Sequence, residues 1–277
     1  MRDFPIPVVA FGAGSQPEEE GVDYLPMPQE METLAQPNFN LEADPEILSA
    51  ACDVIERLRN AMQASSSAVI ALQGLPPKVV ELINQAMGHG EVSVLVREPR
   101  DLHIQETVFA GVWRVQEVIN GIVLRDALHA CAMPPEVRQS ALSVATAISV
   151  PPLRPGMMNA PAVLNELLER SAQYQPGQAA HILNLSLLPM SPEDLAYLFD
   201  AFGTGAVSML SRGYGNCRIT STRLAHVWWV QYFNSMDKLI LNTIEVVDIP
   251  EVSLAADEDY QDSIQRLSEW LDVMREQ

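Results

Sequence analysis

Much of this chain is written twice. The stretch "GHGEVSVLVR" (88–97) aligns with "GTGAVSMLSR" (203–212), "AGVWRVQ" (110–116) with "AHVWWVQ" (225–231), and "PEV" (135–137) with "PEV" (250–252). All three matches share one offset of 115, and 17 of the 50 positions from Gly88 to Val137 are identical to their counterparts. Upstream, "ALQGLPP" (71–77) resembles "NLSLLPM" (184–190), with two residues inserted before the second Gly-x-Gly. A repeat restricts the fold, because each element must make sense in both copies. Two copies are too few for a solenoid, so the expectation is a tandem duplication packed about a pseudo-twofold axis.

The repeat unit reads as α+β. Residues 44–62 open with an Asp N-cap and a proline in the first turn, and Ile47, Leu48, Ala51, Val54, Ile55 and Leu58 recur at helical spacing. The counterpart helix is 159–174. A short apolar run follows (68–72; 181–185), then a second helix (77–87; 191–202) that stops at the Gly-x-Gly. Next come a strand (91–96; 206–211), a long extended segment carrying the Trp (104–117; 219–233) and a third strand (121–131; 236–247). Their connections are too short for crossover helices, which predicts an antiparallel meander flanked by helices. The last helix, 257–274, is amphipathic. Three regions result: an extended Pro- and acid-rich segment, 1–43, a first repeat, 44–150, and a second repeat, 151–277.

Charge narrows the function classes. The net charge is −19, and residues 1–60 and 245–277 carry −9 and −8 of it, leaving the 184 residues between nearly neutral. Such ends repel phosphate backbones, which argues against nucleic acid, and favour a basic partner segment or simple solubility. No apolar run nears the roughly 20 residues of a membrane span. The first residues lack the apolar stretch of a secretory signal, so the expected location is cytoplasmic, without stable membrane insertion. Cys52, Cys131 and Cys217 are dispersed and form no CxxC pair, and the five histidines are equally scattered. Neither a disulfide framework nor a local metal site is expected, and no cofactor is implied.

Residues found in one copy only are the candidates for function. Trp113 and Trp228 recur and read as core, whereas Trp229 stands where copy one has Arg114. Trp229 therefore either faces a groove or partner, or is partly buried. "RGYGNCRI" (212–219) has no echo and is either an ordinary turn or a surface bearing Tyr214, Asn216, Cys217 and Arg218. A Cys217–His226 nucleophile would need the chain to fold back on itself, and a phosphate loop lacks its Lys-Ser/Thr. With Gln231 beside Trp229, these residues form a candidate partner-binding patch. The N-terminal strip adds Ser15, Gln16, Tyr24 and Met27, set among prolines in a manner suited to docking in a groove. No catalytic constellation stands out.

The stretch "GAGSQPEEE…DYLPMPQEM", joined to "SRGYGNCRITST" and "VWWVQYFNSMDKLILNTIEV", resembles the HupH/HyaF hydrogenase expression proteins along essentially the whole chain. The resemblance implies an accessory protein, not an enzyme, for maturation of an uptake nickel–iron hydrogenase. It implies association with the precursor of the small, iron–sulfur-cluster subunit before its twin-arginine export, and possible contact with other maturation proteins. A chaperone or scaffold is the leading expectation. The alternative is a thiol-dependent factor in which Cys217 serves cluster delivery or oxygen protection.

Overall fold

Asp44 caps the first helix as its sequence implies, its carboxylate accepting from the Glu46 amide at 3.0 Å. The computed structural model describes residues 44–65, 67–145, 148, 150–213 and 215–275. In chain order these form α1 (Pro45–Ala64), β1 (Ala68–Ala71), α2 (Pro77–Met87), β2 (Val92–Val96), β3 (Leu102–Glu106), β4 (Val112–Ile119), β5 (Ile122–Ala130) and α3 (Pro135–Ser143). There follow α4 (Ala160–Gln173), β6 (His181–Asn184), α5 (Pro192–Phe202), β7 (Val207–Ser211), β8 (Asn216–Ser221), β9 (Val227–Phe233), β10 (Leu239–Val246) and α6 (Asp257–Arg275).

All ten strands belong to one antiparallel sheet, ordered β1-β5-β4-β3-β2-β7-β8-β9-β10-β6. Read inward from either edge, the two halves have the same order. They join at β2 and β7, where Val94 lies opposite Met209. The class is α+β, as expected.

Three details differ from the sequence reading. The extended segments 104–117 and 219–233 are not continuous. Each is cut into two strands by a turn with a left-handed residue, Gly111 (φ 78°) or His226 (φ 62°). The Thr107 and Thr222 amides close those turns onto the Val112 and Val227 carbonyls at 2.8 and 3.0 Å. Second, the offset of 115 slips in the last strand: Trp113 faces His129, but Trp228 faces Glu245. The left-handed pair Asn120 and Gly121 joins β4 to β5, whereas residues 234–238 join β9 to β10 with a longer loop. Third, the two Pro-Glu-Val segments diverge, one starting α3 and the other a 3₁₀ turn, Glu251–Ser253.

The glycines of the repeated Gly-x-Gly have separate reasons. Gly88 and Gly203 end α2 and α5 with φ of 57° and 59°, a conformation costly for other residues. A Cβ on Gly90 would strike the Thr107 carbonyl, and one on Gly205 would strike the Ser221 hydroxyl.

Strand alternation sorts the core into layers. On the underside, Val94, Ile104, Trp113, Met209, Ile219 and Trp228 form one apolar layer across both halves, covered by Val137 and Ala141 of α3. On the upper face, α1 and α2 cover the first half and α4 and α5 the second. α6 does not stay with the second half. Its stripe Tyr260, Ile264, Leu267, Leu271 and Met274 lies in the core of α1 and α2.

Candidate functional site

The predicted patch divides between the two faces of the sheet. Asn216 and Arg218 alternate with Cys217 along β8, and Arg218 pairs with Gln231 on β9. Asn216, Arg218, Gln231 and Trp229 therefore share the upper face, while Cys217 turns into the underside core. Tyr214, Ser15, Gln16, Tyr24 and Met27 lie outside the described residues.

Cys217 is 2 % exposed and lies opposite Tyr232 on β9. Burial pushes its thiol up to about 12, against a smaller opposing effect of a hydrogen bond with Tyr232. A protonated, enclosed thiol is a poor nucleophile, which counts against the alternative of a thiol-dependent factor built on Cys217. His226 lies at the other end of the β8–β9 hairpin, with Nδ1 3.3 Å from an Asp248 carboxylate oxygen. The loop's Gly215 is structural, with φ of 100°, a left-handed backbone that other residues adopt at a cost.

Trp229 is the main correction. It is 7 % exposed, packs with α4 and α5, and donates from Nε1 to Asn242 Oδ1 at 2.6 Å. Its ring meets that of Phe199 edge-on, with centroids 6.2 Å apart. The bond to Asn242 satisfies the indole N–H, as burial requires in a strand covered on both faces. Gln231 is likewise buried, at 8 % exposure. Among the described residues of the patch, only Asn216 and Arg218 keep partial access. Arg218 lies over the Phe233 ring at 4.3 Å, and Asn216 and Arg218 approach the Asp237 carboxylate at 3.5 and 4.0 Å.

The upper face opens instead in the first half. A cleft of about 130 Å³ lies between the end of α2 and strands β2 to β4. Its apolar lining includes Met87, Leu95 and Leu128, and its polar lining Asn84, Ser93, His103, Arg114 and Gln116. Arg114 donates from Nε and Nη2 to the two Asp126 oxygens at 3.0 and 2.7 Å, and Gln116 donates to Asp126 at 3.2 Å. The guanidinium is thus neutralised and held in one orientation. The Arg114/Trp229 difference marks this place in the sequence, and the cleft lies on the Arg114 side.

A second hollow, about 400 Å³, borders the first half near the start of α6 and is lined in part by Glu91, Glu106 and Asp259. Glu106 is 8 % exposed and accepts from the Val92 and Gly111 amides at 3.3 and 3.4 Å. Burial outweighs those bonds and pushes its carboxyl up to about 7. Among the described residues no group of three or more His, Cys, Asp or Glu is arranged to hold a metal ion. Among them, too, no helix is long and apolar enough to cross a membrane.

The C-terminal conserved region of the HupH hydrogenase expression protein matches this chain twice, over residues 45–150 and 157–274. The chain belongs to the HupH family. It is similar to the hydrogenase expression/formation protein HoxQ of Cupriavidus necator, 40 % identical with 98 % of each chain covered. It is also similar to HupH of Rhodobacter capsulatus, 42 % identical over 99 % of this chain and 100 % of that one. The hydrogenase-1 operon protein HyaF of Escherichia coli is 32 % identical over 94 % of this chain and 95 % of the relative. A solved structure of the HupH family, from Thiobacillus denitrificans, covers 41 % of this chain at 27 % identity with a TM-score of 0.39.

Proposed function

We propose that this protein is an accessory factor of hydrogenase maturation that acts by binding a partner and not by catalysis. The observation that carries the reading is full-length similarity to proteins named for hydrogenase expression and formation. Their names bring the role to this chain. The partner is the precursor of the small, iron–sulfur-cluster subunit of an uptake nickel–iron hydrogenase, held in the cytoplasm before export. The protein serves it as chaperone or scaffold. Acidic ends suit approach to a basic segment such as a twin-arginine signal, since complementary charge raises encounter rates. We also infer that the two halves descend from one duplicated unit, a reading supported by their common strand order.

Affinity capture from the native host tests the partner. The small-subunit precursor should be recovered by mass spectrometry, and recovery should fall as salt rises. Recovery of only the large subunit, or of nothing from the hydrogenase system, refutes the assignment.

A further inference from the structure

We propose that the first-half cleft is a seat for one aromatic side chain presented by a partner protein. The second half supplies the argument. α2 and α5 are both 11 residues long and end at Gly88 and Gly203, so Asn84 stands in α2 where Phe199 stands in α5. On the sheet, Arg114 lies opposite Leu128 and Trp229 opposite Ile244. Even the polar anchor is shared: Arg114 Nε donates to Asp126 at 3.0 Å, and Trp229 Nε1 donates to Asn242 at 2.6 Å. In the second half two aromatic rings, Phe199 and Trp229, occupy this place and contact each other. In the first half both rings are replaced, and the hollow remains.

Size and chemistry point to the same occupant. The cleft volume is about 130 Å³, close to the roughly 150 Å³ that admits a benzene ring in an engineered cavity. Met87, Leu95 and Leu128 offer apolar contact, and Arg114 offers a flat cation clamped by Asp126, suited to stacking on a π face. Because Asp126 already neutralises Arg114, a simple carboxylate gains little here. Only the partner's identity rests on the hydrogenase reading above.

The test uses the full chain and N-acetyl-tryptophanamide, followed by amide NMR shifts. Saturable shifts at Ser93, Leu95, His103 and Leu128 are expected, in the millimolar range usual for so small a ligand. Acetate and N-acetyl-alaninamide should not produce them. The double change Asn84→Phe with Arg114→Trp fills the cleft as the second half is filled, and should weaken binding roughly tenfold or more. Should that variant fail to fold, Arg114→Lys keeps the charge but removes the flat clamp, and should weaken binding about threefold. Absence of cleft shifts, equal shifts with acetate, or undiminished binding in the folded variants overturns the proposal. If the probe binds and the filled variant still captures the small subunit, the seat stands and that subunit is not its occupant.

Discussion

At the scale of single residues, hydrogen-bond satisfaction decides which side chains are interior. Trp229 is enclosed because Asn242 accepts its N–H, so Trp229→Ala leaves both a hole and an unpaired amide. We expect a loss of about 3 kcal/mol in urea unfolding, in place of a selective loss of partner capture with unchanged stability. Glu106 makes the opposite case. The corresponding residue on β8 is Ser221, whose Oγ accepts from the Val207 amide at 2.9 Å, as Glu106 accepts from Val92. Because burial raises the Glu106 carboxyl from 4.5 to about 7, the folded state keeps a proton that the unfolded chain releases above its own pKa. Its contribution is therefore fully present below about pH 4.5 and is lost as pH rises through 7. Glu106→Gln should be more stable than the parent at pH 8, by on the order of 3 kcal/mol, with the difference shrinking towards pH 4.5. An equal effect at both pH values would show that Glu106 is ionised throughout.

Among the elements, α6 carries a consequence that its position in the chain conceals. It follows the second half in sequence, but its apolar stripe closes the core of the first. Leu267 is fully buried there, and Leu267→Ala should cost 2–5 kcal/mol, about what a buried Leu costs elsewhere. The Glu56–Arg275 ion pair at 2.6 Å also ties α6 to α1, though at an exposed site such a pair contributes little. Hydrogen exchange in Leu267→Ala should quicken in α1 and α2 before it quickens in α4 and α5. Faster exchange in α4 and α5 instead would place α6 on the other half.

For the whole molecule, the shared sheet makes the halves interdependent. β2 and β7 pair over five residues at the centre, and Arg138 of α3 lies 3.0 Å from Asp248 beyond β10. A fragment ending at residue 150 would lose α6 and expose the β2 edge, a strand buried along its whole length. We expect residues 44–150 alone to aggregate or to give a collapsed, poorly dispersed amide spectrum. The full chain should unfold in one cooperative transition by circular dichroism. A soluble fragment with native shifts would show that the repeat is an autonomous domain.

Local signals in the sequence determined the helix starts at Asp44 and Ser191, the stops at Gly88 and Gly203, and the antiparallel pattern of the strands. Each depends on a few neighbouring residues and their backbone needs, and the glycine stops and the strand pattern recur in both halves. The sequence also marked Arg114 against Trp229 as a place where the halves part. Only the tertiary structure decided what the difference means. Whether an indole is covered depends on an acceptor 13 positions away, Asn242, and on a facing helix that carries Phe199. The site of α6 is of the same kind: an amphipathic stripe needs an apolar surface, and only the packed chain says that the surface is α1.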